Sequence, residues 1–151
     1  MNTVFEVGNL ESGKGPDETD WRVGQFVQGP RHSQHVAIKW AIHNAGSLAE
    51  KPWAACLRAT TLAVLISGKF RIDFCRVPDG DYRSIHLSDP GDFVLFGPGL
   101  PHKSESLEPA TRFLTVRWPS LGLEDTITFG LQRPTNADLR LLDEAISALS
   151  V

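Results

Sequence analysis

Short stretches in which apolar and other residues alternate one by one, each cut off by a turn cluster, constrain this chain more than any other feature. Val36, Ile38, Trp40 and Ile42 alternate with His35, Ala37, Lys39, Ala41 and His43. Phe70, Ile72 and Phe74 alternate with Arg71, Asp73 and Cys75, and Leu114, Val116 and Trp118 with Phe113, Thr115 and Arg117. Successive side chains on a strand point to opposite faces, so a period of two marks a strand with one buried face. Gln28-Gly29-Pro30-Arg31, Asn44-Ala45-Gly46, Pro78-Asp79-Gly80-Asp81, Asp89-Pro90-Gly91 and Gly97-Pro98-Gly99 supply the breaks. About eight short strands with frequent turns predict an all-β sandwich or barrel and argue against a βαβ protein.

The end of the chain reads differently. Leu139, Leu142, Ile146 and Leu149 fall on one helical face, with Leu141 and Ala145 beside them. Thr135 can cap such a helix and Asp138 suits its positive end, so a helix is expected over about 137–148. It would cover a barrel end or pack on a partner subunit. The 151 residues fit one domain: a loose lead-in over 1–20, a barrel over about 21–120, then the helix.

The formal net charge of −3 offers no basic field for nucleic acid or anionic lipid. The longest apolar run, Leu62 to Ile66, is far shorter than the ~20 residues of a membrane helix, and the first residues lack a signal-peptide pattern. Cys56 and Cys75 stand in no metal-type or redox spacing, as expected for free thiols in a cytoplasmic protein.

Gly91 to His102 reads as a strand, a tight turn and a histidine opening the next strand. It resembles the second motif of the cupin superfamily, G-x5-P-x-G-x-x-H-x3-N. Gly91, Gly99 and His102 fall in register, while Gly97 replaces the proline and Ser106 the asparagine. Gly68, in Val64-Leu65-Ile66-Ser67-Gly68-Lys69-Phe70, matches the last glycine of the first motif, G-x5-H-x-H-x3–4-E-x6-G. The chain is also similar to small single-domain bacterial cupins with a Lys-Trp-x-x-His strand, here Lys39-Trp40-Ala41-Ile42-His43. The resemblance covers roughly residues 21–120 and implies a double-stranded β-helix, the jelly-roll barrel, usually paired as a homodimer.

In many cupins the barrel holds a catalytic metal on three histidines and a glutamate. Here Thr61 occupies the glutamate position, and the paired histidines would fall at Ala54 and Cys56 or at Ala55 and Leu57. One histidine supplies a small part of a metal's binding energy. No metal or other cofactor is therefore expected; an unconventional set of His102, His43 and Cys56 is the chemically reasonable exception. Whether His43 faces the lumen depends on strand parity, since Ile38, Trp40 and Ile42 compete for that face.

The other lumen candidates are cationic or hydrogen-bonding. His102, Ser104 and Ser106 share a face, Arg58 shares parity with Cys56 and Thr60, and Arg117 with Thr115; Trp40, Trp53, Trp118 and Phe96 offer walls. Guanidinium, hydroxyl and imidazole groups suit a small polar or anionic metabolite. Arg58, Thr60, Ser104, Ser106 and Arg117 are the candidate binding residues, with His102, and after it His43, as candidate acid or base. The leading expectation is a ligand-binding cupin without metal. The alternative is a metal-dependent oxygenase, isomerase or lyase that uses His102. Catalysis itself stays open at this point.

Overall fold

Glycines decide where this chain reverses. Gly68 adopts φ +87°, and a Cβ there would lie 2.4 Å from the Thr111 Oγ1, so only glycine permits the turn without strain. The other two motif glycines, Gly91 and Gly99, also have positive φ. The spacing that reads as a motif is thus a set of backbone requirements.

The computed structural model describes residues 6–11, 20–43, 46, 50–77 and 81–149. Most of the expected lead-in, and parts of the expected turns at 44–46 and 78–81, lie outside the described residues. Ten strands and one helix are described: β1 (Trp21–Val23), β2 (Ala37–His43), β3 (Ala54–Cys56), β4 (Thr60–Ser67), β5 (Phe70–Val77), β6 (Asp81–Leu87), β7 (Phe93–Phe96), β8 (His102–Ser106), β9 (Thr111–Trp118), β10 (Thr126–Thr128) and α1 (Asn136–Leu149). They form two five-stranded antiparallel sheets, ordered β1-β2-β9-β4-β7 and β10-β3-β8-β5-β6. Among the described residues no helix is long and apolar enough to cross a membrane.

Between the sheets lies a core of Ala41, Ala63, Leu65, Phe70, Ile72, Phe74, Leu87, Val94, Phe96 and Phe113. Phe70 and Phe113 bridge the two layers with ring centroids 4.4 Å apart. Burying one such side chain stabilises the fold by roughly 1.5–3 kcal/mol, and this contact closes one end of the barrel. Above it the interior turns polar. On β2 the residues sharing a face with buried Ala41 are Lys39 and His43, and both line the interior space. The larger apolar residues point the other way: Ile42 is 43 % exposed, Trp118 40 %, Phe93 63 % and Leu95 54 %. Alternation therefore marks these strands correctly, while their apolar side faces out of the barrel.

The helix begins as its sequence suggests. The Asp138 amide donates to the Thr135 Oγ1, and the Thr135 amide donates back to the Asp138 carboxylate, a reciprocal cap. Leu142 is fully buried, and the Ile146 side chain reaches Gly99 on the β7–β8 turn. Arg76 projects from a bulge in β5 and donates two hydrogen bonds, of 2.6 and 2.8 Å, to Asp143. The helix thus packs beside the turn that sets up His102.

Candidate functional site

Three rows of side chains build the interior, and strand register puts them there. Across the first sheet, Arg117 on β9 pairs in register with Ala37 on β2 and Thr61 on β4, and Thr61 with Phe96 on β7. One row deeper, Thr115 lies between Lys39 and Ala63; below that, Phe113 lies between Ala41 and Leu65. Cross-strand partners share a face, so each row points its side chains together into the barrel. The second sheet answers with Phe74, His102 and Ala54 in one row, then Ile72 beside Ser104, then Phe70 beside Ser106.

The space between the rows is a cavity of about 220 Å³, open at one end. Its polar lining comes from Lys39, His43, Lys51, Thr61, His102, Ser104, Thr115 and Arg117, and its apolar walls from Trp21, Ala63, Phe70, Ile72, Phe96 and Phe113. Among the described residues no acid lines it. The nearest carboxylates stand behind the lining: Asp20 Oδ2 is 3.8 Å from His43 Nε2, and Glu105 acts on Lys51 from the neighbouring position of β8. Among the described residues, His43 Nε2, Thr61 Oγ1 and Arg117 Nε are buried without a hydrogen-bond partner. A buried polar atom without a partner costs roughly 1–3 kcal/mol. Three of them around one cavity mark it as a place where a ligand's polar atoms would be stabilising.

His102 is held in one orientation. Its Nδ1–H donates to the Leu100 carbonyl at 3.0 Å, and the ring packs edge-on against Phe96 at 4.6 Å. A carbonyl can only accept, so the neutral ring carries its proton on Nδ1 and presents Nε2 as a base. Burial lowers the His102 pKa to about 4, with the Arg117 charge acting in the same direction and the Leu100 hydrogen bond opposing. His43 packs on Phe113 at 5.1 Å, and its pKa is lowered by burial and by Lys39 and Lys51. Both imidazoles are neutral at pH 7 and can accept a proton.

His102, His43, Ser104 and Arg117 come together around the cavity. Arg58 does not join them: its Nε donates to buried Asp125 at 3.1 Å, away from the cavity lining. Thr60 sits cross-strand from Trp118 on the outer face, and its neighbour Thr61 takes the inner place. Ser106 is buried beside Phe70, below the open space. Of the four aromatic wall candidates only Phe96 lines the cavity; Trp53 packs edge-on against Tyr82, and Trp40 and Trp118 occupy the opposite face of their strands. Lys51 and Trp21 carried no sequence signal. Lys51 precedes Pro52 outside any alternating run, and its ammonium donates to the Ser104 carbonyl at 2.9 Å. Trp21 receives the Arg117 guanidinium over its ring at 5.3 Å.

Two sheets of this order, joined by a strand–turn–histidine at β7–β8, enclosing a lumen lined from both layers, decide the architecture. The chain has the cupin jelly-roll fold. It is similar to oxalate decarboxylase from Bacillus subtilis at 21 % identity and a TM-score of 0.52, over 64 % of this chain and 24 % of that one. It is also similar to QdtA, a sugar 3,4-ketoisomerase from Thermoanaerobacterium thermosaccharolyticum in complex with TDP, at 14 % identity, with 82 % of each chain covered and a TM-score of 0.54. A third similarity is to Pac13, a nucleoside dehydratase: 8 % identity, 65 % of this chain and 71 % of that one, TM-score 0.53. This chain therefore spans about a quarter of the oxalate decarboxylase it matches. No protein-family model matches the sequence, and neither does any curated protein.

The donors present in this cupin lumen do not fit a metal ion. His102 faces Ala54 directly across the β3–β8 ladder, where a second histidine would be needed. Cys56 lies two positions on, outside the cavity lining, and burial raises its thiol pKa. Among the described residues no group of three His, Cys, Asp or Glu side chains could hold a metal. Lys39, Lys51 and Arg117 would add like-charge repulsion to any divalent cation.

Proposed function

We propose that this cupin binds a small organic anion in its lumen, with Arg117 as the principal anchor. One observation carries the reading: Lys39, Lys51 and Arg117 converge on a cavity that no described acid lines, and the Arg117 Nε has no partner among the described residues. A carboxylate or phosphate would supply the missing counter-charge and accept the orphaned hydrogen bond. Thr61, Thr115, Ser104 and His43 offer hydroxyl and imidazole groups around the rest of the ligand, and Phe70, Phe96, Phe113 and Ile72 suit a short carbon skeleton. His102, with Nε2 free to accept, suits a ligand hydroxyl or an acidic C–H.

The outward apolar side chains of β2, β7 and β9 support pairing of two barrels, and the two buried free cysteines are compatible with a cytoplasmic setting.

Isothermal titration with propionate, lactate and inorganic phosphate tests the anchor. At least one should bind, and Arg117→Ala should weaken it by roughly 10–100-fold, the range for a hydrogen bond to a charged group. Binding unchanged by that substitution, or no binding of any anion, defeats the proposal.

A further inference from the structure

Lys39 differs from the other two cations that line the cavity. Lys51 donates to a backbone carbonyl, and Arg117 stacks on Trp21. Lys39 makes no hydrogen bond or ion pair among the described residues. It stands in the row beside Thr115, one row deeper than Arg117, and shares its strand face with His43. The Lys-Trp-x-x-His pattern thereby acquires a physical meaning. Positions four apart on a strand share a face, so its lysine and histidine enter the same cavity while the tryptophan between them points away.

We propose that Lys39 is a nucleophile that forms an imine with the carbonyl of a small 2-oxo acid whose carboxylate is held by Arg117. The idea rests on the anion-binding reading and deepens it. A 2-oxo acid presents the two groups this pair would take, a carboxylate for the guanidinium and an adjacent carbonyl for the amine in the next register row. The Nζ lone pair forms the C–N bond, and the carbonyl electrons move onto oxygen. Neutral His43 carries one proton from nitrogen to that oxygen, giving the carbinolamine, and then carries the second N–H proton to the hydroxyl, which leaves as water as the C=N bond forms. Amine and ketone give imine and water, with no oxidant or reductant. An amine must be uncharged to attack, and here burial lowers the Lys39 pKa, Asp20 opposes, and Arg117 and Lys51 lower it further. A lysine desolvated beside other cations is a recognised form of activated nucleophile.

Reductive trapping tests this. The whole protein is incubated with pyruvate and sodium cyanoborohydride, which reduces an imine to a stable secondary amine, and the adduct is located by peptide mass spectrometry. One adduct per chain on Lys39 is expected, formed well before any on Lys14, Lys51, Lys69 or Lys103, and lost in Lys39→Arg, which keeps the charge. Circular dichroism checks that this variant folds, and Lys69→Arg, at an exposed lysine paired with Glu108, should label like the wild type. No adduct, labelling spread evenly over the lysines, or an adduct centred on Lys51 overturns the proposal. Propionate, which has no ketone, separates the two ideas. Arg117-dependent propionate binding without pyruvate trapping removes the nucleophile and leaves the anion site standing; failure of both removes both.

Discussion

Several cations on the outside of this barrel are paired with acids, while those lining its interior meet no acid among the described lining residues. On the outer face of the second sheet Arg71 donates two hydrogen bonds, of 2.9 and 2.7 Å, to Asp73, which also accepts from Ser84 at 2.7 Å. Glu105 lies 3.5 Å from the same guanidinium. Arg76 has Asp143, Arg58 has Asp125 and Lys69 has Glu108. Inside, Lys39, Lys51 and Arg117 share a cavity that no carboxylate among the described residues lines. Burying unpaired charge is costly, so stability alone would pair these groups or remove them. The contrast supports the proposal that the lumen's positive charge meets an anion arriving from outside.

Breaking a matched site should have the largest effect. Asp73 is only 1 % exposed, and burial alone would raise its pKa; hydrogen bonds from Arg71, Tyr82 and Ser84 outweigh that and bring it to about 2. Arg71→Ala leaves the buried Asp73 carboxylate without its guanidinium, and removing one partner of a buried pair costs roughly 3–5 kcal/mol. Urea unfolding should show the loss directly. A change below about 1 kcal/mol, the scale of exposed pairs, would mean that the outer network is no better matched than the lumen.

Acid should act next, and through the lumen. The folded-state pKa of His102, about 4, lies below the ordinary 6.5, so the unfolded chain takes up the proton first as pH falls. The stability this site contributes is complete above pH 6.5 and is lost progressively as pH drops toward 4, to a maximum of about 3 kcal/mol. Asp73 acts lower: its contribution is present above about 3.8 and lost as pH falls through about 2. Stability curves of the wild type and His102→Gln should diverge between pH 6.5 and 4. Parallel curves would show that the imidazole titrates as freely as one in water.

These contrasts also explain what the sequence could and could not disclose. The fold was legible because turns and strands are local: positive-φ glycines at 68, 91 and 99, and alternation along β2, β5 and β9, are written in neighbouring residues. His102 was legible for the same reason, since the turn before it fixes its place. Strand parity was not legible for β2, because an apolar outer face and an apolar inner face give the same alternation. Thr60 illustrates the cost of a one-residue shift, which moves a hydroxyl from Thr61's place in the lumen to the outer face. Lys51 and Trp21 were illegible because their places depend on pairing with strands far away in sequence. Arg58 looked like Arg117 in composition, and only Asp125, sixty-seven residues on, distinguishes them.

Removing a lumen cation should have a smaller effect, of opposite sign. Lys39→Met keeps the length of the side chain and removes an amine without a partner. The unliganded protein should gain about 1 kcal/mol, in line with the gains seen when apolar groups replace buried charge. Anion affinity should fall in the same variant, because the lumen loses one of the three basic groups that line it. Thermal melts with and without ligand would display the exchange of stability for binding. If Lys39→Met destabilises the empty protein, Lys39 is already satisfied and the interior is not the unmatched region described above.

The smallest effect belongs to the residue that most resembles a lumen anchor in sequence. Arg58 is exposed, and its partner Asp125 also accepts from the Ala59 amide at 3.2 Å, so the carboxylate keeps a hydrogen bond when the guanidinium is removed. Arg58→Ala should therefore cost no more than about 1 kcal/mol, the usual range for an ion pair with an exposed member. Anion affinity should stay within about twofold of wild type, because screening by solvent leaves little of its charge to act on the cavity. Paired measurements on Arg58→Ala and Arg117→Ala make the sharpest form of the comparison, since the same change in formal charge is made on either side of the barrel wall. Equal losses of affinity would reduce the lumen's role to net charge. A loss confined to Arg117→Ala ties recognition to a guanidinium whose Nε faces the cavity row with no partner of its own.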